Sequence, residues 1–251
     1  MKLALLRNIR LLMSQRKPNM NSDQYYEGQP SCQISQLDSL FQLFLGRKED
    51  GVFVEIGAND GISCSNTWGL AKRGWTGFLV EAIPEFVKQC ELNHLCHHNV
   101  SVWQVAMGDE DGKEVTFNIG GQLTTANQDL SLEYQNIDWA KSVVTSTQVK
   151  LTTQKLDTFL VNIRLQPGFD LLVVDVEGYE AQVFSGFTLS KWQPKMLIVE
   201  LTDTHPNLRT NAKSDATLSQ QILSAGYRII YKDCINTVFI TDSVWHDVFK
   251  S

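Results

Sequence analysis

Short apolar runs alternate along the chain with segments whose apolar residues recur at helical spacing. The apolar runs predict strands at Val52–Ile56, Thr76–Val80, Val100–Ala106, Leu171–Val174 and Met196–Leu201. Helical spacing predicts helices at Gln36–Leu45, Cys64–Lys72, Pro84–Asn93, Ala181–Phe187 and Leu218–Ala225. Strands that alternate with helices form βαβ units. The pattern therefore predicts an α/β fold in which helices cover both faces of a mostly parallel sheet.

The C-terminal segment departs from this alternation. Two further apolar runs, Tyr227–Tyr231 and Thr237–Ile240, are separated by five residues. A connection this short cannot make the crossover that parallel strands need, so the pair is predicted to be an antiparallel hairpin. The last strand then runs against the others, which distinguishes this architecture from an all-parallel dinucleotide-binding sheet.

The middle of the chain fits the alternation poorly. Val115–Ile119 is a candidate strand, and residues 120–150 are rich in Thr, Ser, Gln and Asn around Tyr134 and Trp139. Long irregular segments in compact domains are commonly lids or binding loops. We therefore expect residues 120–150 to be a substrate loop or insertion within a single domain of residues 32–251.

Residues 1–31 are predicted to be an N-terminal extension. Its first part, Met1–Pro18, is basic, and its apolar residues are interrupted by Arg7, Asn8 and Arg10. This predicts a terminal helix rather than a signal peptide, with an interfacial helix on anionic lipid as the alternative. No apolar run reaches the roughly 20 residues that a membrane-spanning helix needs, so no transmembrane segment is expected.

The composition argues against some classes of partner and of cellular compartment. The formal net charge is −6, whereas proteins that bind nucleic acid usually carry excess positive charge. Nucleic acid is therefore not expected as a partner. The five cysteines are odd in number and irregularly spaced, which favours a reducing compartment and a cytoplasmic protein. Nothing in the pattern indicates an oligomeric state.

A glycine-rich turn follows the first predicted strand, in the segment EIGANDG of residues 55–61. Gly57 and Gly61 remove Cβ atoms where the backbone turns tightly or approaches a ligand, and Asn59 is one of the few other residues that visit left-handed conformations at modest cost. A loop at the carboxyl end of the first strand is where open α/β sheets bind nucleotides. This segment is the first candidate site.

Acidic residues indicate which nucleotide it binds. Glu81 ends the next predicted strand, twenty residues after Gly61, where an acid can accept the hydroxyl protons of an adenosine ribose. Glu55 and Asp60 flank the loop, and carboxylates there repel a pyrophosphate but suit a ligand that carries an ammonium and a sulfonium. The charges favour S-adenosylmethionine over NAD.

The chain resembles the FkbM family of methyltransferases. The resemblance rests on VFVEIGANDGISCSNTWGLAKRGWTGFLVEAIPEF from Val52, LLVVDVEGYEAQVFSGF from Leu171, the shorter segments KLDTFL and PKMLIVEL, and NTVFI in the last strand. It covers roughly Gln33 to Ile240. It implies a class I, Rossmann-like methyltransferase fold: a three-layer sandwich around a mostly parallel seven-stranded sheet whose last strand is antiparallel. It also implies methyl transfer from S-adenosylmethionine, usually to a hydroxyl oxygen of a sugar or natural product.

The resemblance also implies roles for individual residues. Glu55, Gly57, Asn59 and Gly61 would line the methionine end of the cofactor, and Glu81 would hold the ribose. The residues that would border the adenine are Ala106, Met107 and Asp109. Ser65, Asn66 and Thr67 match the family's SNT, but they precede a predicted helix, so helix capping is an equal alternative.

Three acids follow the fourth predicted strand, at Asp175, Glu177 and Glu180. In this fold that edge faces the transferred methyl group, and a hydroxyl acceptor needs a base, which typically contributes about 10²–10⁴-fold. We expect Asp175 or Glu177 to be the base, with His205 as the rival and Glu180 as a helix-side partner.

Two groups of residues offer metal ligands, but no metal is predicted. Asp175, Glu200 and Asp203 offer the oxygen ligands that Mg²⁺ prefers. The cysteines and histidines of residues 90–98 do not match a known zinc spacing, and histidines near a helix C-terminus suit its dipole without a metal.

The sequence therefore predicts an S-adenosylmethionine-dependent O-methyltransferase with a small-molecule or glycan acceptor that carries a free hydroxyl. The alternatives are an NAD-dependent sugar-modifying oxidoreductase, which would need the GxGxxG motif that this chain lacks, and a non-catalytic interaction module that keeps the fold. A nucleic-acid methyltransferase is disfavoured by the acidic balance and by the absence of an NPPY-type motif.

Overall fold

The computed structural model describes residues 32–34 and 36–249. The predicted extension of residues 1–31, with its basic segment, lies outside the described residues. The helices are α1 Leu37–Phe44, α2 Trp68–Lys72, α3 Pro84–Asn93, α4 Gln128–Tyr134, α5 Leu156–Asn162, α6 Glu180–Ser185, α7 Leu189–Trp192, α8 Ala212–Ser224 and α9 Asp242–Phe249. The strands are β1 Val52–Ile56, β2 Thr76–Glu81, β3 Val100–Gln104, β4 Ala106–Gly108, β5 Glu114–Asn118, β6 Gln148–Lys155, β7 Leu171–Val174, β8 Met196–Glu200, β9 Tyr227–Lys232 and β10 Asn236–Thr241.

The main sheet has seven strands in the order β3-β2-β1-β7-β8-β10-β9. All neighbours are parallel except β10, which is antiparallel to both β8 and β9. The predicted fold class is thus confirmed, including the antiparallel last strand. That strand lies inside the sheet rather than at its edge, because the hairpin places β10 next to β8 and leaves β9 outermost.

The chain order reverses between β1 and β7. Strands β2 and β3 extend the sheet on one side of β1, and β7 and β8 extend it on the other. The helical connections that follow β1 and β7 then run to opposite faces of the sheet, and a crevice opens between them at the carboxyl ends of the two strands. The residues that follow these two strands are the ones placed to touch a ligand.

The sheet is buried on both faces, which explains its continuously apolar strands. Neighbouring residues of one strand point to opposite sides. In β1, Phe53 belongs to the core cluster beneath α1, α2, α3 and α9, whereas Val54 belongs to the cluster beneath α5, α6, α7 and α8. Both are fully buried. The result is the three-layer sandwich that the pattern predicts.

Several predicted boundaries are wrong. The predicted strand Val100–Ala106 is two strands, because the chain leaves the main sheet after Gln104 and β4 joins a small second sheet of order β4-β6-β5. The helix expected from Cys64 begins only at Trp68, since Cys64 has a left-handed backbone with φ of 58°. The helix expected from Leu218 begins at Ala212, through a polar first turn.

The segment predicted to be irregular, residues 120–150, contains more regular structure than its composition indicates. It holds a short 3₁₀ turn at Gly121–Leu123, helix α4 and the start of β6. We call residues 119–147, between β5 and β6, the insertion. Across the residues that the structure describes, no helix is long and apolar enough to cross a membrane.

Candidate active site

A cavity of about 280 Å³ opens at the carboxyl ends of β1, β7 and β8. Its walls are the loops that follow β1, β2, β7 and β8, and the insertion closes one side through residues such as Leu123, Tyr134 and Trp139. The cavity therefore lies at the point where the order of the strands reverses.

The glycine-rich turn comes close to its neighbours in space. Gly57 has φ of 87°, and a Cβ there would overlap the carbonyl oxygen of Asp175. Gly61 has φ of 76°, and a Cβ there would lie 2.7 Å from the Sγ atom of Cys90 and 2.8 Å from the ring of His94. Only glycine satisfies both the backbone angle and the space at these positions. Asn59, with φ of 49°, takes the remaining left-handed position.

Glu55 is buried at the start of this turn, and the SNT segment holds its side chain. The Thr67 hydroxyl donates to Glu55 Oε2 at 2.6 Å, and the Asn66 backbone N–H donates to Oε1 at 3.3 Å. Burial raises the pKa of Glu55 to about 7, against the effect of these donors. Ser65 Oγ accepts the backbone N–H of Trp68 at 3.2 Å. The SNT segment thus holds Glu55, and its Ser65 hydroxyl also accepts the first N–H of α2, while the N-cap residue Thr67 makes no side-chain bond to the helix.

Glu81 joins the loops after β1 and β2. Its Oε2 accepts the backbone N–H of Asn59 at 2.9 Å, and its Oε1 accepts that of Ile83 at 2.8 Å. Burial raises the pKa of this carboxyl, although these backbone donors oppose the shift. Each carboxylate oxygen has a second lone pair. Glu81 lines the cavity and keeps that capacity for a ligand hydroxyl.

Four of the residues expected at the cofactor do not line the cavity: Asp60, Gly61, Ala106 and Asp109. The Asp60 carboxylate accepts the backbone N–H groups of Ile62 and Ser63, so it stabilises the turn. Asp109 binds Lys113 at 3.0 Å. Met107 does line the cavity.

Three acids meet on the opposite wall, and we call Asp175, Glu177 and Glu200 the acid cluster. One carboxylate oxygen from each lies within 4.8 Å of the others. Burial raises the pKa of all three, and the neighbouring Asp175 charge adds to this at Glu177, whose pKa is about 8. Glu180 lies behind the cluster, where its Oε1 accepts the backbone N–H groups of Val176 and Gly178.

The insertion holds the acid cluster through contacts that the sequence did not reveal. The Tyr134 hydroxyl donates to Glu177 Oε2 at 2.5 Å, and the Thr125 hydroxyl donates to the Glu177 carbonyl at 2.5 Å. Asn127 Nδ2 donates to the Gly178 carbonyl at 3.1 Å. Glu177 itself has a left-handed backbone with φ of 52°. The aromatic residues of the insertion were the only signal that pointed to this region.

His205 lines the cavity with one of its ring nitrogens already occupied. Nδ1 accepts the backbone N–H groups of Leu208 at 2.9 Å and Asn207 at 3.1 Å. The neutral ring therefore carries its proton on Nε2. Burial, and then the charge of Arg209, lower the pKa of His205. In this state the ring offers a donor and no free acceptor.

Neither group of possible metal ligands has the arrangement that the sequence suggested. Asp203 does not join the acid cluster, because its carboxylate binds Lys232 Nζ at 2.6 Å, and Glu177 takes its place beside Asp175 and Glu200. The histidines after α3 support the glycine-rich turn. His94 Nε2 lies 3.0 Å from the Gly61 carbonyl, and its Nδ1 lies 3.0 Å from His97 Nδ1.

The charge of the cavity wall is one-sided. Five carboxylates line it: Glu55, Glu81, Asp175, Glu177 and Glu200. Among the described residues, no Lys or Arg does so. Burial raises the pKa of all five acids, so a bound cation would favour their ionised form, whereas a phosphate group would oppose it.

The family model of the methyltransferase FkbM domain matches residues 55–229, which is more than half of the chain. The chain belongs to the FkbM methyltransferase family. The matched residues run from Glu55 at the glycine-rich turn to the start of the final hairpin, so they include both walls of the cavity. No protein of curated function matches the sequence.

Solved structures of other methyltransferases are similar to this FkbM domain at low identity. Methyltransferase FkbM from Methylobacillus flagellatus KT is 14% identical with a TM-score of 0.47, over 76% of this chain and 44% of that one. This chain thus spans less than half the length of that protein. A putative caffeoyl-CoA O-methyltransferase from Staphylococcus aureus is 11% identical with a TM-score of 0.46, over 94% and 91%. The O-methyltransferase TomG from Streptomyces achromogenes, in complex with SAM, is 13% identical with a TM-score of 0.44, over 82% and 77%. Nothing about the acceptor follows from similarities of this size.

Proposed function

We propose that this FkbM methyltransferase transfers the methyl group of S-adenosylmethionine to a hydroxyl oxygen of a sugar or another small hydroxylated acceptor. The observation that carries the proposal is the one-sided charge of the cavity, with five carboxylates and, among the described residues, no Lys or Arg. S-adenosylmethionine carries an ammonium and a sulfonium, which such a wall stabilises, whereas the pyrophosphate of NAD would be repelled.

The residues fit the cofactor at both of its ends. Glu55 and Asn59 would hold the methionine part, where Gly57 leaves no side chain in the way. Glu81 would bind the ribose hydroxyls with its remaining lone pairs, and Met107 would border the adenine. When bound, S-adenosylmethionine supplies an activated methyl group, so the protein's remaining task is to place the acceptor oxygen behind it.

The acid cluster is the part of the wall suited to the acceptor. Asp175 and Glu177 lie at the carboxyl end of β7, and a carboxylate there would orient the acceptor hydroxyl and take its proton. His205 is the weaker base, because its Nδ1 already accepts two backbone N–H groups. We assign His205 the role of a hydrogen-bond donor to the acceptor, through Nε2–H.

Calorimetric titration of the purified protein tests the cofactor. We expect binding of S-adenosylmethionine and S-adenosylhomocysteine, no binding of NAD in a parallel titration, and a weaker affinity for both sulfur ligands in Glu81→Gln. Folded protein that binds NAD, or that binds neither sulfur ligand, would overturn the proposal.

The catalytic assignment has a separate test in turnover. Asp175→Asn and Glu177→Gln should abolish methyl transfer to hydroxylated sugars screened as acceptors, while the affinity for S-adenosylmethionine stays near that of the wild type. Retained turnover in both variants would remove the acid cluster from the mechanism.

A further inference from the structure

We propose that His94 and His97, here called the histidine pair, position the glycine-rich turn for the cofactor, and that the second proton taken up by the pair releases the turn and weakens the binding of S-adenosylmethionine. The two histidines follow α3, and neither lines the cavity. The pair therefore acts through the backbone of the turn and not by contact with the ligand.

Two successive carbonyl groups of the glycine-rich turn are bound by side chains from the end of α3. Asn93 Nδ2 donates to the Asp60 carbonyl at 2.8 Å, and His94 Nε2 lies 3.0 Å from the Gly61 carbonyl. The Gly61 N–H in turn donates to the carbonyl of Ala58 at 2.8 Å, and Ala58 lines the cavity. A displacement of Gly61 would therefore change the shape of the cavity wall.

The hydrogen bonds determine which ring nitrogens of the pair carry protons. A carbonyl oxygen can only accept, so His94 Nε2 carries the proton that is donated to Gly61. Neutral His94 then has an unprotonated Nδ1, which lies 3.0 Å from His97 Nδ1. The proton in that contact belongs to His97 Nδ1, which leaves His97 Nε2 as the site that accepts the first added proton without a change in the contact.

The second added proton disrupts the pair. Its place is His94 Nδ1, where it would face the N–H of His97 Nδ1 across 3.0 Å, with both rings charged. His94 is only 5% exposed, and the ring of Trp68 makes T-shaped contacts with both imidazoles at centroid distances of 5.1 and 4.9 Å. Like charges so close together, and partly shielded from water, repel each other. Whichever ring moves, His94 loses the contact that orients it towards Gly61.

The groups around the pair determine the pH at which this happens. Burial lowers the pKa of both histidines from the ordinary value of 6.5, and the charge of Lys72, in α2, lowers that of His97 further. The charge of Asp60, in the turn, acts in the opposite direction on His94 but does not outweigh burial. Cys90, in α3, stays a neutral thiol, because burial raises its pKa. The pair is therefore uncharged at neutral pH, and the turn is released only on acidification.

Calorimetric titration of the full-length protein with S-adenosylmethionine, from about pH 8 to about pH 5, tests the pair. His94→Gln keeps a donor for Gly61 and an acceptor for His97 but takes up no proton, so it removes only the pH-dependent step. The acids of the cavity and the ligand titrate alike in both proteins, so the difference between their profiles isolates the pair. We expect the affinity of the wild type to fall at least about threefold further than that of His94→Gln over this range.

Two further variants complete the test. His94→Phe removes the donor to Gly61 at every pH and should lower the affinity about tenfold at neutral pH. The control His98→Gln changes an exposed histidine of the same segment and should reproduce the wild-type profile. Imidazole ¹⁵N spectra of histidine-labelled protein report on the pair without any ligand. We expect the Nε2–H tautomer for His94 and the Nδ1–H tautomer for His97, assigned from the spectra of His94→Gln and His97→Gln.

This inference rests on the proposed function for the identity of the ligand, and the outcomes separate the two. If the protein binds S-adenosylmethionine and the profiles of wild type and His94→Gln coincide, the histidine pair is wrong and the proposed function stands. Folded His94→Phe that keeps wild-type affinity at neutral pH also overturns the pair. Protein that binds neither sulfur ligand at any pH overturns the proposed function, and tautomers other than those expected then overturn the pair independently.

Discussion

The two walls of the cavity are built in different ways. On the wall that we propose for the cofactor, here called the cofactor wall, the acids bind donors within that wall's own loops: Glu81 accepts from Ile83 and Asn59, and Glu55 accepts from residues 65–67. On the wall that we propose for the acceptor, here called the acceptor wall, the acid cluster combines residues that follow two strands and contacts the insertion, through Tyr134 bound to Glu177 and Asn127 bound to Asn211. The first wall is held by its own loops, whereas the second also needs the insertion to hold the loop at Glu177 and Gly178.

This difference predicts which binding or kinetic constants a substitution in each wall should change. A change within the cofactor wall should alter cofactor affinity and leave the docking of the insertion intact. A change in the insertion should alter turnover and acceptor affinity while cofactor binding persists. Two contacts join the walls: the Gly57 backbone lies against the carbonyl of Asp175, and Asn59 Nδ2 donates to the carbonyl of Gly121 in the insertion at 3.5 Å.

The largest effect is expected from Gly57→Ala. The new Cβ would overlap the Asp175 carbonyl, and φ of 87° is strained for any L-residue. We expect a loss of about 3 kcal/mol or more in the free energy of unfolding, together with loss of S-adenosylmethionine binding. Urea denaturation and calorimetry measure the two quantities.

Gly112→Ala is the matched control for that substitution. Gly112 has a similar φ of 83°, but its added Cβ would meet nothing within 4 Å. It should cost only about 1–2 kcal/mol, the price of the backbone conformation alone. Equal destabilisation by the two substitutions would show that the contact between the walls at Gly57 contributes nothing.

Tyr134→Phe should reduce turnover of the acceptor and leave cofactor affinity nearly unchanged. The substitution removes the hydroxyl that donates to Glu177 and keeps the buried ring. Above about pH 8, where Glu177 is ionised, loss of a hydrogen bond to this charged partner is worth about 1.5–3 kcal/mol, so kcat/KM for the acceptor should fall about 10–100-fold. Affinity for S-adenosylmethionine should stay within about twofold.

The control for the hydroxyl is Tyr231→Phe, which removes a donor to Asp233 outside the cavity. Its turnover should match the wild type. If Tyr134→Phe reduced cofactor affinity as much as turnover, the proposed independence of the walls would be wrong.

The sequence predicted more of the cofactor wall than of the acceptor wall. The positions of Gly57, Asn59 and Glu81 at the cavity were predictable, because each residue stands at or just after the end of a strand. The contacts of Tyr134, Thr125 and Asn127 were not, because they span 43–52 residues to reach the loop after β7. Periodicity carries no information on which distant loop a polar insertion touches.

The third acid of the cluster shows a related limit. Glu200 and Asp203 both follow β8, and the sequence offered both as oxygen ligands. Only the packing of β9 decides between them, because it brings Lys232 to Asp203 and leaves Glu200 facing the cavity. Element boundaries failed for a similar reason: the small sheet takes β4 away from the run that its apolar residues suggest.

Thr67→Val should weaken the cofactor wall alone. The substitution keeps the shape of the side chain but removes the 2.6 Å hydrogen bond to the buried Glu55. We expect the affinity for S-adenosylmethionine to fall about tenfold, or about 1.4 kcal/mol, while the KM for the acceptor at saturating cofactor changes little. Calorimetry and steady-state kinetics report the two quantities. Thr158→Val is the matched control, since it removes a bond between a threonine and a carboxylate at the surface.

The smallest effect is expected at the far end of the sheet, where neither wall reaches. Asp170 binds Lys48 at 2.6 Å and Lys195 at 2.8 Å, and it accepts the backbone N–H of Val52. Burial works against its ionisation, but these donors outweigh burial and hold the pKa of Asp170 below its ordinary value of 3.8. A lowered carboxylate pKa stabilises the fold above the unfolded pKa, and this stabilisation is lost as the pH falls through the folded value.

Asp170→Asn should therefore cost about 1 kcal/mol at neutral pH, because both lysines are partly exposed. The difference between variant and wild type should shrink as the pH falls below the ordinary pKa of 3.8, where the unfolded carboxylate takes up its proton, and should vanish below the lower pKa of the folded protein. Urea denaturation at a series of pH values measures it. Asp109→Asn, which breaks the more exposed pair with Lys113, should change stability less. Asp170 precedes β7 and Asp175 follows it. Unchanged cofactor affinity in Asp170→Asn would show that β7 transmits no strain to the cavity. Reduced affinity would show that β7 couples the ion pairs of Asp170 to the cavity.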